Sequence, residues 1–127
     1  MDLKTCISKL NHQEISSVEL VQLAIQKHQE NLDKNAIGSI WADALKWAEK
    51  LDEERKNGHV RSALHGIPIA IKDNILFNDG TPTTCNSYAF HDFIPPFNAS
   101  IVDQLLAAGI IAPLQSKSFR ICLLYER

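Results

Sequence analysis

The stretch LHGIPIAIKDN, residues 64–74, ends an apolar run on a lysine, which is a residue type that can do acid–base chemistry. Residues 67–71 are almost continuously apolar, which predicts a strand buried on both faces with Lys72 at its end. In open α/β sheets, ligands bind beyond the carboxyl ends of the strands. Desolvation lowers the pKa of a lysine, and a neutral lysine is a usable general base. Lys72 is therefore a candidate base. The plainer interpretation is a strand-end lysine whose ammonium group reaches water.

The two residues after the lysine leave two interpretations open. Asp73 and Asn74 are both residue types that favour turns. Asp73 can also pair with Lys72, and such a pair would oppose deprotonation of the amine. The sequence does not decide between a turn and an ion pair.

Other residue types that can do chemistry are present without the partners that they need. The hydroxyls of Thr83, Thr84 and Ser87 in DGTPTTCNS have no histidine base nearby, so structural hydrogen bonding is the expected role. A single glycine there cannot cradle a phosphate. His65 precedes the strand, where packing or a turn hydrogen bond is the expected role.

Metal and cofactor chemistry has no sequence signal. The five histidines show no HExxH or clustered spacing, and the three cysteines form no CxxC pair. We expect Cys6, Cys85 and Cys122 to be free thiols in a reducing compartment, and we expect neither a metal nor a cofactor.

The elements that position Lys72 follow from hydrophobic periodicity. Residues 1–60 have a helical pattern, and IGSIWADALKWAEKLDEERKNG predicts one helix with Ser39 as its cap and Gly58 at its end. The cluster DEERK is expected to be a solvated last turn. Residues 64–114 then contain IPIAIK, the helical pattern ASIVDQLLAAG and IIAPL, which predict a βαβ unit with parallel strands. The tail, residues 115–127, is atypical for such a sheet.

Composition restricts the class of protein. The chain has 127 residues, 45% of them hydrophobic and 22% charged, with a formal net charge of −2. No basic run favours nucleic acid or an anionic membrane, so we expect neither as a direct partner. No apolar stretch approaches the ~18 to 20 residues of a membrane span, and the N-terminus lacks a secretory h-region. We therefore expect one small cytoplasmic domain.

Three motifs in one order resemble the start of the amidase signature family. They are LHGIPIAIKDNI, DGTPTTCNS and IPPFNASIVDQLLAAG, and the resemblance covers roughly residues 16–114. General amidases and the amidase subunit of glutamyl-tRNA(Gln) amidotransferase both share the pattern. The stretch LDEERKNGHVRSALHGIP leans slightly towards the general amidases.

The resemblance implies a fold and an activity. It implies a piece of an α/β/α fold with a mixed sheet, helices first and a βαβ unit after them. The implied parent activity is hydrolysis or transfer of a small-molecule carboxamide without metal or cofactor. By motif match, Lys72 corresponds to the base of a serine–cis-serine–lysine triad.

The chain also departs from the family pattern. The Gly/Ser-rich segment that carries both serines and the oxyanion donors has no counterpart here, and IIAPLQSKSFRICLLYER replaces a Gly-Lys-(Thr/Ala/Ser)-Asn run. We therefore expect residues 1–127 to be a truncated amidase that keeps only the lysine and is inactive alone. Two alternatives stay open: a non-catalytic interaction module that pairs with a protein through an exposed sheet edge, and one half of a split amidase whose serines lie on another polypeptide.

Overall fold

The computed structural model describes residues 2–117, so the predictions about Cys122 and about residues 118–127 of the tail lie outside the described residues. Within residues 2–117 there are four α-helices and three strands, joined by loops that include two short 3₁₀ turns. They are, in chain order, α1 (Leu3–Asn11), α2 (Ser17–Gln29), β1 (Ile37–Ile40), α3 (Ala44–Lys56), β2 (Pro68–Lys72), α4 (Ser100–Ala107) and β3 (Ile111–Ser116).

The predicted βαβ unit is confirmed. β2 and β3 pair in parallel, and α4 is the helix that connects them. Gly109 ends α4 in the left-handed region at φ 86°, with Gly109 N–H donating to Leu106 O and Ile110 N–H to Leu105 O. This Schellman arrangement satisfies the last helical carbonyls and turns the chain directly into β3.

Residues 37–40 correct the predicted helix start. They form β1, which pairs antiparallel to β3 and makes the sheet mixed, with the order β1-β3-β2. Ser39 is not a helix cap, since its hydroxyl donates to Gln115 Oε1 at 3.0 Å across the strand pair. The physical reason is tertiary, because Ile37 and Ile40 are three residues apart and show no two-residue alternation, so the strand forms through its pairing with β3. Exposure alternates in the structure, with residues 37 and 39 half-buried and residues 38 and 40 exposed.

Helices cover both faces of the central strand. Ile111 of β3 packs with Val21 of α2 and with Ala44, Ala48 and Leu51 of α3. The next residue, Ala112, packs on the opposite face with a second cluster, because successive strand side chains point to opposite sides. That second cluster contains Ile71, Phe77, Val102 and Ile110 as its other buried members.

β2 is less buried than its apolar sequence predicts. Ile67 and Ile71 are buried, but Ala70 and Lys72 are exposed. The cause is position, because β2 lies at an edge of the described sheet while β3 lies at its centre. The prediction of burial on both faces, which covered residues 67–71, is therefore wrong for Ala70.

Asp52 and Glu54 of the cluster DEERK are anchors, which corrects its interpretation as a solvated turn, whereas Glu53 and Lys56 are exposed. Asp52 accepts the backbone N–H groups of Ser17 and Val18 at the start of α2, at 2.8 and 3.1 Å. Glu54 forms a mostly buried ion pair with Arg61, with side chains 20% and 19% exposed. These contacts hold α3 against α2 and against the chain that enters β2.

His65 has the packing role that the sequence suggested. It is fully buried, its Nε2 is 2.8 Å from Leu51 O, and its Nδ1 is 3.3 Å from the backbone nitrogen of Arg61. A carbonyl only accepts, so Nε2 donates and Nδ1 accepts, which is the neutral imidazole. A Cβ at Gly109 would lie 2.8 Å from that Nδ1, so this contact also requires glycine at position 109.

The Glu54–Arg61 pair predicts a pH-dependent part of the stability. The hydrogen bond from Arg61 lowers the pKa of Glu54 below its ordinary value of 4.5. A carboxyl group with a lowered folded-state pKa stabilises the fold above its unfolded pKa, and this contribution is lost as the pH falls through the folded-state pKa. We expect Glu54→Gln to lower the free energy of unfolding by about 1 kcal/mol at pH 7, with a difference that shrinks as the pH falls below 4.5.

Urea unfolding of the wild type and the variant between pH 7 and pH 3 measures this difference. Glu53→Gln is the matched control, because Glu53 is the exposed neighbour of Glu54. A Glu54→Gln penalty that is the same at both ends of the pH range contradicts the prediction.

Candidate functional site

Lys72 lies at the carboxyl end of β2, as predicted. It is the last residue of the strand, it pairs with Ser116 of β3, and it is exposed. Within the described residues, no hydrogen bond or ion pair engages its ammonium group. The amine is therefore available at the carboxyl ends of the parallel strands, which is where ligands of α/β proteins bind.

Asp73 does not pair with Lys72. Its buried carboxylate accepts two hydrogen bonds from Thr84, one from the backbone N–H at 2.7 Å and one from the hydroxyl. Its backbone N–H donates to Ser116 O at 2.8 Å, which extends the β2–β3 ladder by one bond. Ile75 N–H donates to Lys72 O, so residues 72–75 also form the turn that the sequence allowed. Asp73 thus holds the loop, and the lysine is left without a carboxylate partner from its neighbour.

The loop that follows β2 is fastened to the end of the strand. Cys85 N–H donates to Asp73 O at 2.9 Å, and Asn86 N–H donates to the Thr84 hydroxyl oxygen at 3.0 Å. Cys85 and Asn86 adopt positive φ values of 51° and 55°, so the chain reverses sharply here. The hydroxyl of Thr84 has a structural role, as expected. No sequence signal pairs residues 73 and 84, which are eleven positions apart.

A cleft of about 290 Å³ opens beside this Asp73–Thr84 clamp, at the same end of the sheet. Gln115 is one of its walls, with its side chain 3% exposed and its Oε1 bonded to Ser39. The Nε2 of Gln115 has no hydrogen-bond partner among the described residues. Lys72 does not line the cleft, so the structure does not bring the lysine and the Thr84 hydroxyl into one cavity. The lining residues are Gly38, Ser39, Asp73, Pro82, Thr84, Asn86, Gln115 and Lys117.

Comparison with known proteins decides the family. A family model described as Amidase matches residues 17–115, which is well over half of the 127-residue chain. The chain belongs to the amidase family. The matched region of this amidase-family chain begins at α2 and includes β1, β2, Lys72, the Asp73–Thr84 clamp and β3 as far as Gln115.

Relatives and solved structures agree with this family. The amidase-family chain is 40% identical over 104 residues to a glutamyl-tRNA(Gln) amidotransferase subunit from Thermoanaerobacter pseudethanolicus, and the match covers 80% of the chain and 21% of that relative. It superposes on the native peptide amidase of Stenotrophomonas maltophilia with a TM-score of 0.83 at 31% identity, covering 91% of the chain and 24% of that structure. An amidase family protein from Bacillus anthracis gives a TM-score of 0.80 at 29% identity, covering 91% and 24% of the two chains. The chain thus spans about a fifth of the length of the curated relative and a quarter of the solved enzymes.

The described residues contain neither a cluster of metal ligands nor a membrane-spanning helix. Among residues 2–117, no three His, Cys, Asp or Glu side chains are grouped so that they could hold a metal ion. None of the described helices is long and apolar enough to cross a bilayer.

The Asp73–Thr84 clamp predicts a difference between two similar variants. Thr84→Val removes the hydroxyl and leaves one oxygen of the buried Asp73 carboxylate without that partner, whereas Thr84→Ser keeps a hydroxyl. We expect Thr84→Val to lower the free energy of unfolding by about 1–3 kcal/mol and Thr84→Ser to lower it by less. Chemical denaturation measures both, and equal losses in the two variants would argue against the hydroxyl contact.

Proposed function

We propose that Lys72 is the general base of an amide-cleaving site whose nucleophile lies outside these 127 residues. The observation that carries the proposal is the amidase match over residues 17–115, which includes a lysine with an available amine at the carboxyl end of β2. Asp73 makes its side-chain hydrogen bonds to Thr84 and not to Lys72, so the amine has no ion-pair partner among the described residues.

The proposed chemistry follows the serine–cis-serine–lysine scheme that the resemblance implies. Neutral Lys72 accepts a proton through the bridging serine, the second serine attacks the amide carbonyl, and backbone N–H groups hold the oxyanion. The C–N bond then breaks as the leaving amine takes the proton back from Lys72, and this leaves the acyl group as an ester on the attacking serine. Water cleaves that ester, and the released amine is either free or passed to an acceptor. The chain would supply the base, and a Gly/Ser-rich segment elsewhere would supply the rest.

The substrate class in this proposal is a small carboxamide. One relative is named as part of an amidotransferase and one solved neighbour as a peptide amidase, so both hydrolysis and transfer stay within the proposal. No cofactor or metal is invoked. A cytoplasmic location is part of the proposal and rests on the sequence alone.

A non-catalytic interaction module is the second candidate function. Edge strands favour it, since β1 and β2 each have one side that no strand of the described sheet occupies. In that case the protein would bind a partner whether or not Lys72 is present.

The 127-residue chain alone should not cleave amides. The scheme requires a nucleophile, a bridging proton carrier and an oxyanion hole, and only the base has a counterpart here. The measurement is ammonia release from simple amides and glutamine, with Lys72→Ala as the control. Hydrolysis above background that disappears in Lys72→Ala would overturn the prediction and would make Ser87 or a threonine of TPTT the first suspect as nucleophile.

A chimera tests the role of the lysine directly. Residues 17–115 replace the matching part of the Stenotrophomonas maltophilia peptide amidase, and peptide-amide hydrolysis is measured. We expect Lys72→Ala to lower kcat by about 10²–10⁴-fold, because that is the usual contribution of a general base. Lys56→Ala is the matched control, since Lys56 is an exposed lysine of the same segment. An active chimera with an unchanged kcat after Lys72→Ala would exclude the proposed role.

A further inference from the structure

A groove of about 390 Å³ lies between the second half of α2, the 3₁₀ turn at residues 32–34 and the paired strands β1 and β3. Four of its lining residues are aliphatic, and the other four are two lysines, a histidine and an asparagine. A volume of this size and an apolar lining with a few polar groups are typical of small-molecule sites. The lining residues are Ala24, Lys27, His28, Asn31, Lys34, Ala36, Ile37 and Leu114.

The apolar side of the groove comes from the sheet and from α2. Ile37 of β1 and Leu114 of β3 belong to neighbouring antiparallel strands, and Ala24 lies in the second half of α2. All three are half-buried, so part of each side chain is open to the groove. An aliphatic chain that lies on these residues would remove apolar surface from water, which is favourable.

No negative side chain lines the groove. Lys27 and Lys34 are exposed, and within residues 2–117 no hydrogen bond or ion pair engages their ammonium groups. His28 adds a ring nitrogen that can donate a hydrogen bond. The two acids of the same stretch, Glu30 and Asp33, are not among the lining residues. The groove therefore combines an aliphatic surface with unpaired positive charge.

The end of α2 has little free negative charge to oppose an anion. The carboxyl end of a helix carries a partial negative charge on its last carbonyl groups. Asn31 covers two of these carbonyls, since its Nδ2 donates to Lys27 O at 2.7 Å and its backbone N–H donates to His28 O at 3.1 Å. The two ammonium groups are therefore the main free charges at the groove.

We propose that this groove binds a small organic anion that carries a short aliphatic chain, such as hexanoate. Its carboxylate would lie at Lys27 and Lys34, and its chain would lie on the aliphatic residues. A neutral molecule would leave both ammonium groups unpaired, and a cation would be repelled by them. Lys72 does not line the groove, so this inference does not depend on the proposed function.

The probe is sodium hexanoate, and the measurement is the change in backbone amide chemical shifts of the 127-residue chain. We expect saturable changes at millimolar hexanoate, with the largest at the residues that line the groove. Acetate lacks the chain and hexylammonium reverses the charge, so each should bind at least about fivefold more weakly than hexanoate. Added salt should weaken the binding of hexanoate, because exposed charges are screened.

Two variants remove the two features of the groove separately. Lys27→Gln and Lys34→Gln combined should weaken hexanoate binding by about three- to tenfold, because two exposed charge contacts are lost. Ala24→Leu puts a larger side chain into the groove and should weaken binding by at least about fivefold. Thermal midpoints check that both variants are folded, and if Ala24→Leu is not, the lysine variant alone decides.

Each variant has a matched control outside the groove. Lys4→Gln and Lys56→Gln combined makes the same change in net charge at exposed lysines, and Gln22→Leu adds the same leucine at an exposed position of α2. Both controls should bind hexanoate as the wild type does. The inference is overturned by an absence of saturable shifts, by shifts centred elsewhere, by equal binding of acetate or hexylammonium, by wild-type affinity in a folded test variant, or by equal weakening in the controls.

Discussion

The pairing of β3 with its two neighbours is the constraint on which the described structure depends. β3 pairs in parallel with β2 and antiparallel with β1, and its adjacent residues Ile111 and Ala112 face the two hydrophobic clusters. The approach to this strand requires Gly109, where a positive φ and the contact with His65 leave no room for a side chain. The backbone of Gly66 is fastened to the same place, with its N–H donating to Gly109 O at 2.7 Å. The entrances of both parallel strands are thereby held side by side.

The far end of the same strand pair determines the surroundings of the candidate base. The ladder continues past Lys72 because Asp73 N–H bonds to Ser116 O, and this places the Asp73 carboxylate where Thr84 can reach it. One buried carboxylate thus fastens this loop together with the backbone bonds from Cys85 N–H to Asp73 O and from Thr83 N–H to Phe93 O. The adjacent Lys72 is left exposed, so its action as a base would depend on protein that covers the carboxyl end of β2.

The chain matches only part of the family fold, and one edge strand of its sheet has exposed residues. The chain has the fold of about a quarter of the solved amidases, and its sheet has three strands in the described part. The exposed residues of β2 lie on an edge strand of the described sheet, and Lys72 is the last of them.

The sequence by itself determined the family, the βαβ unit and the position of Lys72, because these follow from local signals. The apolar run before the lysine, the helical spacing after Ser100 and the glycine at 109 each act within a few residues. Only the tertiary structure decided that β1 exists and that Ala70 is exposed. It also decided that Asp52 and Glu54 are anchors, and that the Asp73 carboxylate bonds to Thr84 and not to Lys72. Each of those depends on a partner between seven and more than seventy residues away, and no local pattern specifies which distant group a strand edge or a carboxylate will meet.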